Sequence, residues 1–132
     1  MPGRSEFQYL ILRVVPSLER GEQINAGVVV FCQQRDYLAA RVGLDRARLA
    51  ALVADLEAEE VAAALEALSE VAAGAAGGGA LSGMTPSQRF GWLASPSSTA
   101  IQASAVHSGL TDDPAATLDR LFTALVEAPP AP

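Results

Sequence analysis

Residues 7–33, FQYLILRVVPSLERGEQINAGVVVFCQ, set the architecture of this chain. Phe7, Tyr9, Ile11, Arg13 and Val15 alternate with Gln8, Leu10, Leu12 and Val14, so both faces of the first strand are mainly apolar. A strand of that kind belongs in the middle of a sheet, and Pro16 ends it. Residues 17–22 are polar and include Gly21, which reads as a turn. The second strand, 23–33, places Ile24, Ala26, Val28, Val30 and Cys32 on one face and Asn25, Gly27, Val29, Phe31 and Gln33 on the other. Gly27 within it predicts a bulge or a close backbone approach. A short turn leads to a third strand at 36–42, and such short connections favour an antiparallel meander.

Beyond the meander the periodicity becomes helical. Asp45 can cap a helix carrying Leu49, Leu52, Val53 and Leu56. Glu59 and Glu60 open a second one, with Val61, Leu65, Leu68 and Ala72 as its apolar stripe. Thr85, Pro86 and Gln88 match a capping box for a helix over 86–93. Residues 99–106 alternate weakly, predicting a fourth strand followed by a Ser108-Gly109 turn. Asp113 and Pro114 start a last helix with Leu118, Leu121, Phe122, Leu125 and Val126 on one face. The expected fold class is α+β: a mainly antiparallel four-stranded sheet, meander plus one later strand, with helices packed on one face. One domain is expected over 1–128, with a flexible Gly/Ala-rich segment at 73–83 and a disordered tail at 129–132.

Composition removes several chemistries. All nine basic residues are Arg, which excludes a P-loop lysine and a Schiff-base lysine. With one Cys and one His there is no zinc-finger ligand set and no internal disulfide, so neither a metal nor a cofactor is expected. The Gly tract follows a helix rather than a strand and is no dinucleotide fingerprint. A net charge of -6 argues against binding a phosphate backbone, although the acids concentrate between residues 45 and 70. That acidic run reads first as a solvated helix face and only second as a dock for a basic partner. No apolar run approaches the roughly 18 residues of a membrane span. The opening MPGRSEFQ lacks an apolar signal core, so the expected location is cytoplasmic.

Polar and aromatic types crowd residues 85–110. Arg89 beside Phe90 and Trp92 offers an anion or base-stacking site, against the plainer reading of an aromatic core plug and an ion-paired Arg. Ser97, Ser98 and Thr99 offer a phosphate cradle, against a simple loop. His107 offers a general base, with Cys32 or a serine as nucleophile, against a hydrogen-bonded turn residue. Arg13 interrupts an apolar strand, where an unpaired guanidinium is costly, so Glu22, Asn25 or Asp112 is expected to partner it. It then serves as a structural ion pair or as one wall of a polar site. The leading functional expectation is a noncatalytic interaction or accessory module whose surface joins Arg89, Trp92, the Ser97 to Thr99 loop and His107. The alternatives are a small-ligand enzyme with a polar pocket near His107 and Arg13, and a single-stranded nucleic-acid binder. The last requires Arg13, Arg20, Arg41 and Arg89 on one face.

Three segments, YLILRVVPSLERGEQINAGVVVF, RFGWLASPSSTAIQASAVHSGLTDDP and LDRLFTALV, resemble in that order the bacterial DUF3037 family, which has no assigned function. Glu22 to Phe31 and Arg89 to Pro114 carry the resemblance most specifically. It implies a protein partner, a HipA-like kinase-domain protein, and it carries over no catalytic residues.

Overall fold

The computed structural model describes residues 3–16, 19–52, 58–74, 83–95 and 100–127. Its elements in chain order are β1 (Ser5–Val14), β2 (Ile24–Cys32), β3 (Tyr37–Val42), α1 (Arg46–Leu52), α2 (Ala58–Ala73), α3 (Pro86–Ala94), β4 (Ile101–Ala103), β5 (His107–Thr111) and α4 (Pro114–Leu125). The strands form one antiparallel five-stranded sheet. β3 lies beside β2 and β2 beside β1, while β4 and β5 share the other side of β1 end to end.

The expected strand at 99–106 is therefore two strands, and Ser104 is the reason. Its N–H donates to the Ile11 carbonyl at 2.8 Å, and its Oγ accepts from the Ile11 N–H at 2.8 Å. A side-chain oxygen thus takes the place of a ladder carbonyl, and the register slips by one residue between Leu12 opposite Ala103 and Tyr9 opposite His107. Pairing resumes past 106, so Ser108 and Gly109, expected in a turn, lie inside β5.

A second irregularity sits in β2, where Leu12 faces Gly27 and Arg13 faces Asn25, leaving Ala26 as the extra residue. A Cβ on Gly27 would stand 3.0 Å from Val42 Cγ1 and 3.2 Å from the Arg41 carbonyl, so the close approach predicted from this glycine is present. The bulge also rotates the strand. Ile24 and Ala26 join Leu10, Leu12 and Val14 on one face, whereas Val28, Val30 and Cys32 join Phe7 on the other. The sequence pattern had put all five β2 residues on one face; the inserted residue breaks that alternation.

Both faces of the sheet are covered. Leu49 of α1, Val61, Leu65 and Ala72 of α2, and Phe90 and Leu93 of α3 pack on the Leu10 face. Leu118, Leu121 and Phe122 of α4 pack on the Phe7 face, above β2 and β3. The α+β class is the expected one, but α4 lies across the sheet from the other three helices instead of beside them. The apolar character of both faces of β1 and β2 demands this, because a sheet with one bare apolar face stays unstable in water. Local signals place the helices: Thr85 and Gln88 form the reciprocal capping box, and Asp113 accepts from the Ala116 amide ahead of Pro114. Most of the Gly-rich segment expected at 73–83 and the tail at 129–132 fall outside the described residues.

Candidate functional site

Arg89 and Trp92 both belong to α3 and lie on the Leu10 side of the sheet. The Arg89 Nη1 donates to the Met84 carbonyl at 3.0 Å. Its guanidinium also lies beside Gly74, where an added Cβ would stand 3.6 Å from Nη2. Gly74, at φ 78°, closes the C-terminus of α2 with its amide on the Val71 carbonyl at 3.1 Å. A cation is favoured at that negative helix end, so Arg89 ties the end of α2 to the start of α3. Phe90 stacks on Phe31 at 5.2 Å in the core, and the half-buried Trp92 packs against the same cluster.

His107 lies on the opposite side. It stands directly across from Tyr9 in the β1–β5 ladder, exposed, with its ring stacked on the tyrosine at 5.1 Å. The sheet therefore separates His107 from Arg89 and Trp92, and the joint surface expected from residues 85–110 is not assembled. Ser97, Ser98 and Thr99 lie outside the described residues. Cys32 shares the His107 face, but it is fully buried under α4, its thiol pointing at the Glu6 carbonyl at 3.5 Å. β1 runs between Cys32 and His107, a gap of about 10 Å at two strand spacings, so they form no nucleophile and base pair.

The Tyr9 face carries a second polar feature. Asn25 on β2 and Gln102 on β4 flank Arg13 directly across the sheet, making a row of Asn25, Arg13 and Gln102. The Asn25 Nδ2 donates to the Leu125 carbonyl at 3.0 Å, which pins the row to the end of α4. The half-buried side chain of Arg13 makes no hydrogen bond or ion pair among the described residues; its Nε, like that of Arg89, is enclosed without an acceptor, but Arg89 still donates through Nη1 whereas Arg13 does not. None of the three residues expected to partner it does so among the described residues. Glu22 pairs instead with Arg20. Asp112 lines an open cleft of about 430 Å³ together with Arg4, Thr111 and Arg120, away from Arg13. An enclosed donor left unmet costs on the order of 1–3 kcal/mol.

Arg13 and His107 do share a face, but Tyr9 and Arg13 are four residues apart along β1, about 13 Å, with Ile11 between them. They do not converge on one cavity, as a small-ligand enzyme site would require. The four arginines of the nucleic-acid reading are likewise dispersed. Arg20 is ion-paired, Arg41 meets Asp119 at 3.1 Å and lies over the Phe122 ring at 4.3 Å, and Arg89 lies across the sheet from Arg13. Among the described residues no group of three or more His, Cys, Asp or Glu is placed to hold a metal. No helix among them is long and apolar enough to cross a membrane.

Tyr9 and Gln102 were missed as site residues. Tyr9 was legible, since it alternates with Arg13 on one strand face. Gln102 was not, because its position depends on a register fixed by Ser104.

Fold and surface together define a small α+β protein whose antiparallel sheet is helix-covered on both faces and carries, on one of them, an arginine whose side chain has no partner among the described residues. The family model described as a protein of unknown function, DUF3037, matches residues 9–126, most of the chain. The chain belongs to that family. No curated protein and no solved structure matches it.

Proposed function

We propose that this protein is a noncatalytic interaction or accessory module of the cytoplasm, and that it engages a protein partner through the Tyr9 face. The row of Asn25, Arg13 and Gln102 forms the centre of that surface, and the stacked rings of Tyr9 and His107 form its far end. The observation that carries the reading is the state of Arg13. Arg20, Arg41 and Arg46 each meet a carboxylate, the half-buried Arg35 and Arg89 donate to other oxygens of the chain, and Arg4, Arg48 and Arg120 are exposed, whereas the half-buried Arg13 side chain has no acceptor among the described residues. A partner's acidic side chain would supply what the fold does not, in a charge-assisted hydrogen bond flanked by two amides. The HipA-like kinase-domain protein implied by the family resemblance is the first partner to test.

Calorimetric titration of the purified kinase-domain protein with this chain checks the reading. Arg13→Met and His107→Ala should each weaken binding about tenfold or more, within the range for truncating a charged or aromatic contact. Gly91→Ala, on the opposite side of the molecule, should leave affinity unchanged. Failure of the wild type to bind, or equal binding by all variants, counts against it.

A further inference from the structure

The two edges of the sheet are treated differently. β3 is packed by α2 on one face and by α4 on the other, and it carries the charged Arg41. At the other edge, Ala105 to Ser108 and Leu110 are exposed, and Ala103 to Thr111 contains no Asp, Glu, Arg or Lys. Val106 at 41% and Leu110 at 61% are the exposed large hydrophobic residues of the described chain, and both lie here. Charge, cover and bulges are the usual devices that stop an edge from pairing with another chain. The bulge at Ser104 lies at one end of this edge and Thr111, buried against Thr117 of α4, at the other; between them His107 to Leu110 have neither an Asp, Glu, Arg or Lys nor a described strand beside them on the outer side.

The backbone directions follow from the ladder. Ile11 exchanges bonds with Ser104, and the Val15 amide donates to the Ala100 carbonyl at 2.7 Å, so the odd residues of β1 aim their backbone groups at β4 and β5. Tyr9–His107, Phe7–Gly109 and Ser5–Thr111 are then the hydrogen-bonded pairs. Ser108 and Leu110 must direct their N–H and C=O away from β1, and no strand among the described residues lies beside them.

We propose that β5 is a self-pairing edge: a second copy of this chain adds its own β5 in antiparallel register about Gly109, joining the two sheets into one. In that register Ser108 faces Leu110 of the second copy and Leu110 faces its Ser108, each pair exchanging both of its outward backbone bonds. His107 faces Thr111. No pair sets like charges opposite one another, although the chain carries -6 overall. Gly109 at the centre has no side chain to obstruct the close approach of the two strands; the packing beneath permits none, since a Cβ there would stand 2.8 Å from Phe7 Cε1. Both copies' Leu110 side chains emerge on the same sheet face as Ser108 and shelter one another diagonally across the new pair. This inference rests on the bare edge and not on Arg13, although His107 belongs both to this edge and to the end of the Tyr9 surface.

Sedimentation equilibrium of the full chain, with Ser108→Pro and Leu110→Arg as variants, tests it. Proline at 108 removes an amide that the chain's own ladder does not use, and edge strands accept proline at such outward positions. Leu110→Arg alters only an exposed side chain and serves should the proline variant misfold. The wild type is expected to be a concentration-dependent dimer, and each variant, with an unchanged circular dichroism spectrum, to dissociate at least tenfold more readily. A wild type that stays monomeric, or a dimer equally tight in the folded variants, overturns the proposal.

Discussion

Ser104 shows how much one hydroxyl can decide. It is buried, it completes the Ile11 ladder position with its side chain, and it also donates to the Ala105 carbonyl at 2.8 Å. Ser104→Ala leaves the buried Ile11 amide without an acceptor, so we expect a loss of about 1–3 kcal/mol in urea unfolding. This role was illegible in the sequence, where Ser104 looked like one more polar position of a weak strand. Cys32 was legible, because a small thiol between valines on a core strand is ordinarily inert packing. Tyr37 makes a pH prediction. Burial first, then Asp119 and Asp113, raise its pKa above the ordinary 10.0. A raised value means that the fold favours the neutral phenol, so its stabilising share is whole below pH 10 and is lost as pH rises through the folded value. Tyr37→Phe should therefore show a shallower fall of melting temperature above about pH 10 than the wild type.

Helix starts were the most readable elements, because a cap is a local event. Thr85 with Gln88, and Asp113 with Pro114, place their helices by contacts within four residues. Strand limits were less readable, since the breaks at Ala26 and Ser104 depend on partners that sequence spacing does not reveal. α3 carries a further testable point. Gly91 lies inside the helix with open space where a Cβ would be, so Gly91→Ala should stabilise the protein by roughly 0.5–1 kcal/mol. Chemical denaturation checks it, and a loss would mean that α3 is more crowded than its contacts indicate.

The sheet with cover on both sides was implicit in β1, whose two faces are both apolar; only the side taken by α4 escaped notice, because helix periodicity says nothing about which face a helix will cover. The candidate site was far less legible. Arg89, Trp92 and His107 are near in sequence, but α3 covers the Leu10 face of the sheet while His107, within β5, projects from the other face, so nearness along the chain carried no spatial meaning. Arg13, Asn25 and Gln102 are distant in sequence and meet only through the β1 pairings. If the charge of Arg13 is held for a group outside the chain, the fold should not need it. The urea midpoint of Arg13→Met, which keeps the apolar stem and removes the guanidinium, should equal or exceed that of the wild type, because an unmet donor has been removed. A fall corresponding to roughly 3–5 kcal/mol, as when one member of a buried ion pair is deleted, would make Arg13 a structural member of the core and contradict its assignment to a partner.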